Sequence, residues 1–177
     1  MSLPDRRKVL SLGLALLAGA GLSACGFEPV YGPNGAGTAM KGQIAFQAPE
    51  TIKARSDTDA YYLVRQLETR LGRDGAPAFR MDLTLATEEV GQAITADGDI
   101  TRYSLTGTAG YSLVRLSDGE VVASGEVKNF SGYSASGTTV QTLASETDAH
   151  ERLMVILADQ IVTRLYAVQG LTTADGA

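Results

Sequence analysis

The sequence predicts an α+β two-layer sandwich, with two helices packed on one face of a four-stranded sheet in the order β-α-β-β-β-α. Two observations carry that expectation. Apolar spacing switches from alternation to the helical period and back, and each predicted element has a single apolar face. Stacking both helices on one sheet face buries all of these surfaces together. The opposite sheet face is then polar, open to water or to a partner.

The first strand is short. Ile44 and Phe46 alternate with small or polar residues over 43–47, and Pro49 ends the run. Asp57 can cap a helix reaching Leu71, with Tyr61, Val64, Leu67 and Leu71 as its buried stripe. Arg65, Glu68, Thr69 and Arg70 lie off that stripe. Gly72 and the stretch Asp74-Gly75-Ala76-Pro77 stop the helix. The period then becomes two, as Phe79, Met81, Leu83 and Leu85 alternate with Arg80, Asp82, Thr84 and Ala86. Residues 91–99 read as a loop into which this strand has room to extend.

A long strand follows over 100–116. Tyr103, Leu105, Ala109, Tyr111 and Leu113 share one parity, while Arg102, Ser104, Thr106, Thr108 and Ser112 share the other. The turn at Ser117-Asp118-Gly119 can be placed by pattern. A two-residue turn would set Ala109 beside Lys128 and Tyr111 beside Glu126. A three-residue loop, with Gly119 left-handed at a bulge, sets Tyr111 opposite Gly125, Ala109 opposite Val127 and Leu113 opposite Ala123. Only the second keeps apolar residues on one face, because a one-residue slip turns the whole strand over. The last strand covers 121–133, and 134–142 reads as a loop or extended segment. The final helix is expected over 145–168, opened by Ser145 with Asp148 as a capping box. Leu153, Ile156, Leu157, Ile161, Leu165 and Val168 form its stripe.

The N-terminus is of another kind. Arg6, Arg7 and Lys8 precede an apolar run, and Leu22-Ser23-Ala24-Cys25 closes it with small residues before the only cysteine of the chain. This is the layout of a secretory signal ending in a bacterial lipobox, in which Cys25 is acylated after cleavage. The apolar run falls short of the ~20 residues that a spanning helix needs. Acylation also accounts for a lone cysteine with no disulfide partner. The expected organisation is a signal peptide over 1–24, a lipidated N-terminus and flexible tether over 25–42, a folded domain over 43–170 and a disordered tail over 171–177. The Arg6-Arg7 pair leaves both the ordinary and the twin-arginine export routes open.

Composition narrows the function classes. Removing 1–24 takes three basic residues and Asp5 from totals of 15 and 20, leaving 12 against 19 and a net charge of −7. Such a chain lacks the basic footprint of a general nucleic-acid binder. With one histidine, His150, and one cysteine, no standard zinc site is expected, and no cofactor either. Gly132-Tyr133-Ser134-Ala135-Ser136-Gly137 fails the nucleophile-elbow pattern, because Ser136 stands where its second glycine belongs. His150 reads as a solvated histidine in the first turn of its helix. Asp97-Gly98-Asp99 reads as a polar turn, and Glu88 and Glu89 point to opposite strand faces. On the uncovered face Lys128 falls opposite Thr108, and Arg102 lies six residues along the neighbouring strand, roughly 20 Å away. Cations above threonines and serines can hold phosphates by charge-assisted hydrogen bonds.

The octet Cys25-Gly26-Phe27-Glu28-Pro29-Val30-Tyr31-Gly32 resembles the mature start of the LptE family of LPS-assembly lipoproteins, particularly its alphaproteobacterial branch. The element order continues the resemblance, as does the segment from Lys128 through Ser134-Ala135-Ser136 to Asp148-Ala149, Arg152, Leu157-Ala158-Asp159-Gln160-Ile161 and Arg164-Leu165. The resemblance implies a non-enzymatic outer-membrane lipoprotein, palmitoylated at Cys25. It would plug and help assemble the LptD β-barrel that delivers lipopolysaccharide to the outer leaflet. Gly26, where an aspartate would hold such a protein in the inner membrane, fits that location. Carried over by position, Lys128 and then Arg102 are the expected lipopolysaccharide-binding residues. The alternative is an auxiliary lipoprotein of an ABC-type lipid transporter.

Overall fold

Alternation and helical spacing resolve, in the computed structural model, into two layers around one apolar seam. The structure describes residues 30–32, 35–53, 57–73 and 75–168. The elements are α1 (Ala36–Ala39), β1 (Ile44–Phe46), β2 (Glu50–Lys53), α2 (Asp57–Leu71), β3 (Phe79–Ile94), β4 (Ile100–Arg115), β5 (Val121–Ser134) and α3 (Thr139–Tyr166). The sheet has four lanes. β1 and β2 both pair in parallel with β3, at Phe79 to Met81 and at Thr84 to Ala86, and together form one broken edge lane. β3, β4 and β5 follow as an antiparallel meander. The single first strand expected before Pro49 is therefore two, interrupted at the residue that has no N–H to give a ladder.

Met81, Leu83, Leu85, Leu105, Ala109, Leu113 and Val127 point from the sheet into the core. They meet Leu63, Leu67 and Leu71 of α2, and Leu153, Leu157, Ile161 and Leu165 of α3. Gly107 lets α3 approach, since a Cβ there would stand 2.9 Å from Leu157 Cδ1 and 3.0 Å from Leu153 Cδ2. Met40 is also buried, so packing begins before residue 43.

The β4–β5 register is the expected one: Tyr111 faces Gly125, Ala109 faces Val127 and Leu113 faces Ala123. The turn itself differs. Arg115 N–H donates to Glu120 O at 2.8 Å and Gly119 N–H to Arg115 O at 2.9 Å. The loop thus holds Leu116 to Gly119, one residue more than expected, with Gly119 at φ 76°. The extra residue is returned at once, because Val114 pairs with Val121 and the register shifts back at Leu113. Arg115 explains the choice, as its Nη1 binds both Asp118 Oδ2 (2.9 Å) and Glu120 Oε2 (2.7 Å) across the loop.

Both helices correct the expected pattern. In α2 the buried row is Asp59, Leu63, Leu67 and Leu71, one i,i+4 row, while Tyr61 is 61% exposed and Val64 only borders the core. α3 begins at Thr139, six residues before Ser145. Thr138 is its N-cap, and it makes a reciprocal capping box with Gln141. Val140 and Leu143 remain exposed in these first turns, so no apolar stripe announced them. Ile156, expected inside, sits at the rim of α3, and Val168 lies beyond the end of the helix against the core. β3 runs on to Ile94, taking in part of the expected loop.

Arginines cover the β5 edge. Arg152 Nη2 donates to Gly132 O at 3.2 Å, and Arg164 Nη1 donates to Glu126 O. Both occupy carbonyls that an edge strand would otherwise offer to another strand.

Candidate functional site

Cys25 lies outside the described residues. The chain is first seen at Val30 and Tyr31, where the sequence motif meets the C-terminal end of α3. Tyr31 and Tyr166 make an edge-to-face pair with ring centroids 5.9 Å apart. Val30, Tyr31, Arg70, Asp159 and Val162 line a cleft of about 510 Å³ there. Arg70 clamps Asp159 through Nε and Nη2 at 2.9 and 2.8 Å, and Gln66 Nε2 adds a third donor at 3.3 Å. Burial pushes the Tyr166 phenol above the usual tyrosine range.

The two expected anion-binding residues occupy different places. Lys128 pairs with Thr108, as its register requires, and Arg102 pairs with Ser134 at the other end of β5. Both are exposed, and among the described residues neither has an ion pair. They do not converge. Lys128 instead lines a groove of about 570 Å³ between the β5 edge and α3, together with Ile156, Gln160, Thr163 and Arg164. Phe130, two residues along from Lys128, is 71% exposed. Arg80, the third cation of that parity, is neutralised by a bidentate pair with Asp82 at 2.8 and 3.1 Å.

The hydrolase-like motifs assemble nothing. Ser134 and Ser136 hydroxyls bond to each other at 2.9 Å, and His150 is engaged elsewhere. Asp99 N–H closes a turn onto Thr95 Oγ1 at 3.1 Å. Glu88 pairs with Thr106 and Glu89 with Leu105, so adjacent carboxylates leave opposite faces of β3.

His150 is the correction with most consequence. It is not a solvated first-turn residue but a buried one in the body of α3, its side chain 8% exposed. Nδ1 stands 2.8 Å from Asp59 Oδ1 and 3.0 Å from Oδ2, and Asp59 is itself buried on α2. Thr87 Oγ1 of β3 donates to Asp59 Oδ2 at 3.4 Å. The other ring nitrogen, Nε2, is buried with no hydrogen-bond partner. Glu146, one turn earlier on α3, and Glu89 on β3 bring carboxylate oxygens to within 4.8 Å of the imidazole and of each other. These side chains line a cleft of about 380 Å³ whose wall is the stacked pair Tyr103–Tyr133, centroids 5.1 Å apart. The spacing of Glu146 and His150 was visible in the sequence. Asp59, the residue that gives it meaning, belongs to a different helix.

Comparison with known proteins places the fold. The LptE family, described as lipopolysaccharide-assembly, matches residues 43–165. A crystal structure described as a lipoprotein of Caulobacter crescentus superposes with a TM-score of 0.59 at 20% identity, covering 78% of this chain and 96% of that one. The rare lipoprotein B of Shewanella oneidensis gives 0.51 at 13% identity, with 71% and 94% covered. A minor lipoprotein of Acinetobacter baumannii gives 0.51 at 14%, with 72% and 93% covered. No curated protein matches the sequence significantly.

Proposed function

The chain belongs to the LptE lipopolysaccharide-assembly family, and from that premise we propose that it is a non-enzymatic lipoprotein that plugs and helps assemble an LptD-type β-barrel. In this reading the signal peptide over 1–24 is removed and Cys25 is acylated, palmitate included. The protein is then held on the periplasmic side of the outer membrane. One acyl chain gives marginal anchoring and two give stable anchoring. Among the described residues no helix is long and apolar enough to cross a membrane, which fits attachment through lipid.

The single observation that carries the reading is the family match over residues 43–165, nearly the whole two-layer body. The polar sheet face supports it, since that face is left without a covering layer and suits a wet partner surface. Affinity purification from gently solubilised membranes tests it. An integral outer-membrane barrel should co-purify in defined stoichiometry, and recovery of the protein alone would reject the partnership. Inner-membrane transporter subunits in its place would favour the ABC-type alternative.

Direct contact with lipopolysaccharide is proposed at Lys128 and, more weakly, at Arg102. Their distance along the sheet means two separate phosphate contacts, not one pocket. Lys128→Asp combined with Arg102→Asp should lower photo-crosslinking of lipopolysaccharide several-fold while leaving the circular dichroism spectrum unchanged. Crosslinking equal to wild type would reject these sites.

A further inference from the structure

We infer that Glu89, Glu146 and His150 form a binding site for one divalent transition-metal cation, zinc in the first instance, with Asp59 as the group that orients the imidazole. Three elements deliver the set. Glu146 and His150 are one helical turn apart on α3 and so share a face. Glu89 projects from the helix-covered face of β3, two residues beyond Thr87. Their ligand atoms lie within 4.8 Å of one another. Donor atoms around a tetrahedral zinc are roughly 3.3 Å apart, given bonds of about 2.0 Å. Small rotations of two long glutamate side chains cover that difference.

Two further observations point to a cation rather than to a chance cluster. The first is the unpartnered nitrogen. Burying a ring nitrogen without a hydrogen bond is costly, and Nε2 is in that position on a side chain that is more than nine-tenths buried. Asp59 accepts from Nδ1–H, which leaves a lone pair on Nε2. A carboxylate behind a metal-bound histidine fixes the tautomer and raises the basicity of the ligand nitrogen in this way. The second is charge. Asp59, Glu89 and Glu146 set three carboxylates around one imidazole, in a domain already rich in acid. A doubly charged ion offsets what one imidazolium cannot. One nitrogen and two carboxylate oxygens suit zinc or manganese better than calcium, which prefers an all-oxygen shell. The cleft beside Tyr103, which these three residues line, leaves room for a water as a fourth ligand.

The test uses the full acylated chain in detergent, stripped with a chelator and titrated with zinc alone. One equivalent should bind. Glu89→Gln and Glu146→Gln, the first exposed and the second half-buried, should each weaken binding at least tenfold without unfolding the protein. Because His150 is the only histidine in the chain, its imidazole gives one pair of ¹⁵N resonances. Zinc should move Nε2 to a metal-bound shift and leave Nδ1 protonated. The inference is overturned if no saturable binding occurs, if the Glu89→Gln, Glu146→Gln double variant binds as wild type does, or if the Nε2 resonance responds to pH but not to zinc. Calcium displacing zinc at equal concentration would also overturn it. None of these outcomes depends on a barrel partner.

Discussion

The two ends of the sandwich use the same layers to opposite effect. At the end near the β4–β5 turn, Leu71, Phe79, Met81, Leu113, Ile161 and Leu165 close the seam with apolar side chains alone. Toward the β3–β4 hairpin, the same space between helices and sheet holds Asp59, His150 and Thr87, with Glu89 exposed at its mouth. Replacing both partners of a buried hydrogen bond by apolar groups of the same shape is often neutral or stabilising. The polar end is therefore not what stability alone would select, and it marks where this fold carries something besides its own packing.

The largest test of that contrast is Ile161→Ala. It removes a fully buried side chain from the apolar end and should cost about 4 kcal/mol, read as a lowered urea midpoint with unchanged slope. Asp59→Ala at the polar end should cost about 2 kcal/mol, since it leaves His150 Nδ1 buried without a partner. Asp59→Asn, which keeps an acceptor, should recover part of that loss. An Asp59→Ala cost above that of Ile161→Ala would reverse the ranking of the two ends. Tyr31→Ala removes the ring contact with Tyr166 and should cost about 1 kcal/mol, measured by thermal unfolding.

Asp118→Asn should have the smallest effect. The Glu120 N–H and then Arg115 hold the Asp118 carboxyl below its ordinary value of 3.8. A lowered folded value gives stability that is present above the unfolded value and lost as pH falls through the folded one. The substitution should thus lower stability slightly at neutral pH, and its difference from wild type should vanish as pH falls below about 4. A loss that persists undiminished in acid would show that Asp118 acts through its shape and not through its charge.

Legibility in the sequence followed locality. The β4–β5 register was readable because alternation on two neighbouring strands permits only one apolar pairing, and Tyr111 duly faces Gly125. The turn was one residue off because the Arg115 side chain, not the backbone pattern, selects Leu116 to Gly119. The start of α3 was missed because Thr138 and Gln141 lead into exposed turns, whereas Ser145 stands just before the apolar stripe. The buried row of α2 was assigned to Tyr61 because Asp59 is charged. Its partner, His150, is 91 residues away, and no window along the chain contains both. Lys128 and Arg102 could be placed on strands by parity. The groove that Lys128 shares with Arg164 could not, since it depends on where α3 crosses the β5 edge.

The Tyr31–Tyr166 contact sets a leash. Five peptide units separate Cys25 from Val30, and an extended chain of that length spans no more than about 18 Å. An acylated Cys25 would therefore keep the C-terminal end of α3 beside the bilayer. β3 and β4, at 16 residues each, would carry the tip around Thr95 to Asp99 about 50 Å the other way. On so short a leash, the hairpin tip would be the part of the module farthest from its lipid anchor, and strand length would set that reach.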